Sequence, residues 1–428
     1  MLGPSLHRQP AVQVRRGATP SAGLLSILAA GLFAGACFKS LDESLLDGAS
    51  GAGAGATGGL AGTGGAAGSA GVGGGGAAGG GAGGTGGILE DAGPDVNDAS
   101  DAETPIQVLP HDPARFPATS IAGATGNSLI SVDGSFAYYI LADTSTQTPT
   151  KVPLTGGSGA AAGGDALDNA SYILGPPQSL FLYLGVGNQA TEDGRIVRFF
   201  KEPESTNPAV ELTHAHRMGR VTAMVATTSA PFYLFAVAKT AGPGQPHILR
   251  ADMAGGGSQL EAIYTDPTGN RTGGALVAQR GCVYWTTNGG VYTVPYAGGD
   301  RAAALATQVS DATSLASDGT RLFVARADGS IWQRPLLGAS CDGSGPPEQR
   351  ILSGFTGATE LVSYARRLAF IASDSELGEG GVFSYDLDAR VVEQAVPASV
   401  NARLLRHSGP RLVYRTSSGT IARVPDGT

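Results

Sequence analysis

Residues 275–307 read ALVAQRGCVYWTTNGGVYTVPYAGGDRAAALAT, and this stretch decides the fold. An apolar run (Leu276–Ala278) meets a Gly turn and is followed by an aromatic run (Val283–Thr287). Asn288-Gly289 then leads into a third run (Val291–Pro295), and a Gly-Gly turn into a fourth (Ala303–Ala306). Asn-Gly between two β-rich runs is the strongest short-range hairpin signal, because both residues tolerate positive φ. Four short strands joined by tight turns make an antiparallel sheet, one blade of a β-propeller.

The same frame returns along the chain. Later copies are SLASDGTRLFVARADGSIWQRPL (314–336), ELVSYARRLAFIASDSELGEGGVFSYDL (360–387) and RLLRHSGPRLVYRTSSGTIARVPDGT (403–428). Earlier ones are SLISVDGSFAYYI (128–140), SYILGPPQSLFLYLGV (171–186) and TAMVATTSAPFYLFAV (222–237). Each carries a second-strand anchor, at Tyr138, Tyr183, Tyr233, Tyr284, Phe323, Phe370 and Tyr414. The anchors recur every ~39 to 51 residues, the blade period of propellers. Seven anchors predict an all-β propeller of seven four-stranded blades over residues 105–428. Six blades with irregular structure is the alternative, because TGGSGAAAGGDALDN after Leu154 offers the first blade no convincing fourth strand. The last copy ends after its third strand, so Ile106–Leu109 is expected to supply the missing outer strand and close the ring.

The chain before this domain differs in kind. Residues 48–87 are nearly all Gly, Ala, Ser and Thr, with Leu60 and Val72 as the only larger apolar side chains. Such a stretch cannot bury enough surface to offset chain entropy and is expected to be disordered. Residues 41–103 hold nine acids and no Lys or Arg, so self-repulsion favours extension. At random-coil scaling a spacer of about 65 residues reaches roughly 45 Å. A formal charge of −8, largely in that spacer, speaks against nucleic acid as a partner.

Arg8, Arg15 and Arg16 precede an apolar run from Ala22 to Ala36, too short to span a bilayer comfortably. The run ends Leu32-Phe33-Ala34-Gly35-Ala36-Cys37. Ala34 and Ala36 fit a signal-peptide cleavage site, and Cys37 behind them resembles the lipidated cysteine of a bacterial lipobox. Cleavage before Cys37 with plain secretion is the second reading, and a buried core helix the third. A lipid anchor suits a domain on a long spacer. The expected organisation is a signal peptide at 1–36, a lipid-bearing Cys37 with its linker at 37–104, and the propeller at 105–428. Phe38 follows the cysteine, so the acidic signal that retains some lipoproteins at the inner membrane is absent, and the expected location is the outer membrane, periplasmic or cell-surface side.

Tyr284-Trp285-Thr286-Thr287, with Val291-Tyr292-Thr293-Val294-Pro295 and Gly298-Gly299 behind it, resembles the YWTD class of propeller repeats; Thr287 stands where that family has Asp. Over nearly its whole length the chain is similar to the secreted propeller lipoproteins of myxobacteria and their relatives. The resemblance implies the fold firmly and the function poorly.

Candidate sites are few. His214-Ala215-His216 is the one close His pair and has the spacing to present two imidazoles to a metal, with His111 or Asp112 as further ligands. Arg217 and Arg220 beside it oppose a cation, and two solvated loop histidines are the plainer reading. Asp374-Ser375-Glu376 with Glu379 offers hard oxygens for calcium, or is a solvated turn. Cys282 and Cys341 are predicted at the same face of neighbouring blades, either as a disulfide in an oxidising compartment or as two free thiols. Trp285, Trp332 and Tyr284 read as packing between blades. No nucleophile elbow or phosphate loop is present, and the Gly-x-Gly matches of the spacer follow no strand. Ligands are expected at the face carrying the second-to-third and fourth-to-first strand loops, among them His111–Arg115. The reading that follows is a cell-envelope lipoprotein presenting its propeller as a non-enzymatic binding or scaffold module. It needs no cofactor and has the membrane and an envelope protein or polysaccharide as partners. A propeller-type enzyme of the lactonase or polysaccharide lyase class, with its site at the channel mouth, is the alternative.

Overall fold

The structure is a computed structural model that describes residues 106–425 except 124–126, 143–146, 163–165, 188–193, 203–208, 213–217, 239–244, 255–258, 267–273, 288–289, 300–302, 305–310, 337–340 and 375–377. It is an all-β propeller of seven blades. Two short strands come first, β1 (Gln107–Leu109) and β2 (Thr119–Gly123). Blade 1 is β3 (Ser128–Asp133), β4 (Phe136–Leu141), β5 (Thr150–Pro153) and β6 (Ala160–Ala161). Blade 2 is β7 (Ala170–Leu174), β8 (Phe181–Val186), β9 (Arg195–Phe200) and β10 (Val210–Leu212). Blade 3 is β11 (Val221–Ala226), β12 (Tyr233–Ala238), β13 (Gln245–Asp252) and β14 (Glu261–Asp266). Blade 4 is β15 (Leu276–Gln279), β16 (Cys282–Thr287), β17 (Gly290–Pro295) and β18 (Ala303–Ala304). Blade 5 is β19 (Ala312–Ser317), β20 (Arg321–Arg326), β21 (Ile331–Pro335) and β22 (Gln349–Leu352). Blade 6 is β23 (Phe355–Tyr364), β24 (Arg367–Asp374), β25 (Gly378–Asp386) and β26 (Val391–Val396). Blade 7 is β27 (Ala402–His407), β28 (Arg411–Thr416) and β29 (Thr420–Pro425), completed by β2.

Every blade is an antiparallel meander with its first strand innermost. The first strands of successive blades lie against one another, and β27 against β3 completes the circle. A blade is packed on both faces by its neighbours, so its second strand is apolar without alternation: all six residues of β16 are buried. The predicted anchors all fall on second strands. In blade 3 the fully buried ring is Phe235, and Tyr233 is half-buried at the start of β12. Trp285 is wholly buried, against Tyr264 of blade 3 at 5.5 Å and Tyr292 of its own blade at 6.0 Å. This is packing between blades, as expected.

Closure of the ring differs from the sequence expectation. The outer strand of blade 7 is β2, which pairs antiparallel with β29, Thr119 opposite Arg423 and Gly123 opposite Thr420. The segment Ile106–Leu109 instead places β1 parallel to β26, as a fifth strand on blade 6. The physical reason lies in what each edge lacks. Blade 6 already has four strands, whereas blade 7 has three and an inward gap that Ile121 fills, 5% exposed among Ile130, Val152, Val413 and Ile421. The strap between β1 and β2 crosses from blade 6 to blade 7. It is pinned by buried Phe116, by Arg115 on Glu393, and by the His111 ring on the Gln394 carbonyl at 3.1 Å. His111–Arg115 therefore lies along the outer edges of these blades, not at the channel mouth. The first blade does have a fourth strand, two residues long, pairing Ala160 with Lys151 and Ala161 with Thr150.

Candidate functional site

The ends of four first strands surround one hollow of about 480 Å³, counted with its open mouth. β3 contributes Ser131 and Val132, and β7 contributes Tyr172, Ile173 and Leu174 with the Gly175-Pro176-Pro177 turn behind them. β11 contributes Met224 and Ala226, and β27 contributes Arg406 and His407. These strands belong to blades 7, 1, 2 and 3. Only the axis of a ring brings the innermost strands of four consecutive blades together, so the hollow is one end of the central channel. Its lining comes from the C-terminal halves of first strands, so it opens on the face of the first-to-second strand turns. The expectation was the opposite face. Side-chain size along the inner strands places a hollow, and loop position does not register it.

The polar lining is built into the ring. Arg406 is 7% exposed; its Nε donates to the Ile130 carbonyl at 2.9 Å, and its Nη1 to the Leu405 carbonyl at 2.7 Å and to Glu360 Oε2 at 3.4 Å. One guanidinium thus joins blades 6, 7 and 1. Arg415 on β28 adds a second link, donating from Nη1 to the Ser128 carbonyl at 2.7 Å and to Asn127 Oδ1 at 3.0 Å. Glu360 lies where the pairing of β23 with β24 shifts register, at φ 52°. A bulge re-aims a side chain, and a left-handed non-glycine backbone costs on the order of 1 kcal/mol and persists only where its surroundings hold it. Here the bulge turns a carboxyl toward β27. Burial pushes that carboxyl up to about 8, outweighing Arg406, the Leu405 N–H and Arg415, which favour the ionised form.

The other walls are fixed as firmly. The His407 ring stacks on Tyr364 at 4.4 Å, and Tyr364 shares a 2.7 Å hydrogen bond with Ser384. Ser131 Oγ accepts from the Gly175 N–H at 2.9 Å, which holds the two-proline turn at the mouth. Behind that turn Lys201 Nζ donates to the Pro176 carbonyl at 2.6 Å and to Asp133 Oδ2 at 2.8 Å, and the Tyr138 hydroxyl donates to the same oxygen at 2.8 Å. Burial lowers the Lys201 ammonium pKa and raises the Tyr138 phenol. This group ties blade 1 to blade 2.

Cys37 lies outside the described residues, as do His214 and His216 and, between Asp374 and Gly378, the centre of the acidic turn. His111 and Asp112 lie on the strap, where Asp112 Oδ1 accepts from the Ala114 N–H at 2.9 Å. Cys282, wholly buried at the start of β16, is joined to Cys341 in the loop before β22 by a disulfide with Cα atoms 5.7 Å apart. It links blades 4 and 5 across a sequence separation of 59. Cys341→Ser is expected to lower stability by about 2–4 kcal/mol, the usual effect of losing such a cross-link. A melting midpoint equal to that of the unaltered chain would contradict this, and so would two free thiols in the mass of the unreduced protein.

The sequence reading missed Arg406, Glu360 and Tyr172. For Arg406 and Glu360 the signal was present in ARLLRH and TELVSY: charges inside first strands, where the first strands of the other blades carry none before their last residue. A charge at an innermost position must have a partner across the channel or a ligand in it.

No family model matches the chain, and no curated protein matches it. Among solved structures it is similar to the virginiamycin B lyase of Staphylococcus aureus, at 12% identity over 72% of this chain and 98% of that one, TM-score 0.51. It is similar to the β-propeller domain of Myceliophteria thermophila Cps50 (Swd1), at 12% identity over 72% and 99%, TM-score 0.51. It is also similar to the WD40 β-propeller domain of Doa1, at 9% identity over 72% and 95%, TM-score 0.50. At these identities the likeness is one of fold, a propeller shared by enzymes and non-enzymes alike.

Proposed function

We propose that the chain is an exported lipoprotein, held at the outer membrane through Cys37, which presents its propeller as a non-enzymatic binding module. The observation that carries the binding role is the hollow at the end of the channel. It is walled by rigid strands of four blades and closed on one side by a proline-stiffened turn, so its shape exists before any ligand arrives. Its lining combines apolar side chains with one guanidinium and one imidazole, a set suited to holding a ligand in one orientation. The Arg-bearing apolar leader, the cysteine behind Ala-Gly-Ala and the Gly/Ala-rich spacer support export and anchoring. Partners of this reading are the membrane itself and an envelope component such as a protein or polysaccharide. Cys37→Ser is expected to move the protein from the membrane to the soluble fraction, read by fractionation and by incorporation of labelled fatty acid. A variant that stays in the membrane fraction would overturn the anchor.

A further inference from the structure

We propose that the hollow binds a small organic acid, one ring-sized apolar body bearing a single carboxylate, with the carboxylate against Arg406 and His407. The proposal rests on the reading of this hollow as a ligand site and names the chemistry of its ligand.

Shape comes first. The hollow is bounded by the ends of four first strands and by the Gly175–Pro177 turn, a short perimeter that suits a compact body better than an extended chain. Its walls are apolar, with Val132, Leu174, Pro177, Met224 and Ala226 offering dispersion contact and the Tyr172 ring an aromatic face. The Pro176-Pro177 pair and the Ser131–Gly175 hydrogen bond hold the turn in place, so little order remains to be gained on binding.

Charge then selects the head group. The lining contains no carboxylate. Arg406 brings a permanent positive charge to one end, and Glu360 on β23, outside the lining, accepts from its Nη1 at 3.4 Å. Burial favours the neutral form of Glu360, which leaves the charge of Arg406 only partly matched. The channel end is therefore cationic inside a low-dielectric wall, where an anion gains most. His407 lies beside Arg406, with its ring plane set by the stack on Tyr364, and its imidazole carries one N–H donor when neutral and two when protonated. Charge-assisted hydrogen bonds from such a pair are stronger than neutral ones. A neutral ligand of the same shape forgoes that gain.

The experiment titrates the full chain with 2-naphthoate and, separately, with 2-naphthylmethanol, by calorimetry. The acid is expected to bind at one saturable site, and the alcohol at least about tenfold more weakly, since a hydrogen bond to a charged group is lost. Met224→Trp, which fills the hollow from β11, is expected to abolish binding of the acid. His407→Phe, at the rim, keeps a ring on Tyr364 but removes the N–H, and is expected to weaken the acid several-fold and leave the alcohol unchanged, a second reading that does not depend on core repacking. Equal affinities for acid and alcohol, or undiminished binding in both variants, would overturn the proposal. Failure of both probes to bind would overturn it too. If an envelope extract still yields a ligand that Met224→Trp excludes, the hollow remains a binding site and only the organic-acid chemistry falls.

Discussion

A chain that begins after Gly123 is expected to lose its cooperative thermal transition, whereas one that begins at Pro110 is expected to keep it at a lower midpoint. The first truncation removes β2, the strap and β1; the second removes β1 alone. Without β2, blade 7 has three strands and β29 presents an unpaired edge from Thr420 to Arg423. Ile121 leaves the cluster shared with blade 1, and Phe116 leaves the core. Each of these side chains contributes about 1.5–3 kcal/mol by burial, and each lost strand hydrogen bond about 1 kcal/mol. The sum is on the order of 6–9 kcal/mol, comparable to the whole stability of a typical domain. β1 has three residues, none fully buried, and its blade already has four strands. Its loss is expected to cost about 2–3 kcal/mol, a midpoint shift of several degrees. Scanning calorimetry of the two truncations decides the matter. Equal effects would mean that blade 6, not blade 7, depends on the N-terminal segment.

The same pair of strands shows what a sequence of this kind conveys and what it hides. The second strands were legible because each is a run of apolar residues around one aromatic, buried on both faces and repeated at blade spacing. Closure was misplaced because Ile106–Leu109 looks more like a strand than Thr119–Gly123 does. TSIAG has one large apolar residue, and its place is set by the gap it fills rather than by its own propensity. β6 was missed for the same reason, since two alanines carry no pattern. The hollow was illegible for a different reason. Its residues run from Ser131 to His407 and meet only because the ring closes. No local pattern encodes a contact between the first blade and the last. What the sequence did display was an Arg and a Glu on strands that should be innermost, and burial of charge demands an explanation wherever it occurs.

Glu360 gives that explanation a measurable form. Its carboxyl faces Arg406 of β27, with the Leu405 N–H beside it and Arg415 of β28 beyond, and Arg403 acts in turn on Arg415. Burial holds the folded-state pKa up to about 8, against 4.5 in an ordinary glutamate. Below the ordinary value both the folded and the unfolded chain carry the proton, and the group costs nothing. Between the two values the unfolded chain ionises and the folded one resists, so stability falls as pH rises, by at most about 1.4 kcal/mol per pH unit for one proton. Above about 8 the loss is complete and levels off. The total is on the order of 5 kcal/mol at most, the attraction to Arg406 being already contained in the value of about 8. Glu360→Gln keeps the shape and an acceptor for Arg406 but cannot ionise. Its stability is expected to match that of the unaltered chain near pH 4 and to exceed it by several kcal/mol at pH 9. Every other titrating group contributes equally to both proteins, so the difference between their denaturation curves isolates this carboxyl. A variant less stable than the parent at pH 9 would show that the ionised pair, and not the neutral acid, holds blades 6, 7 and 1 together.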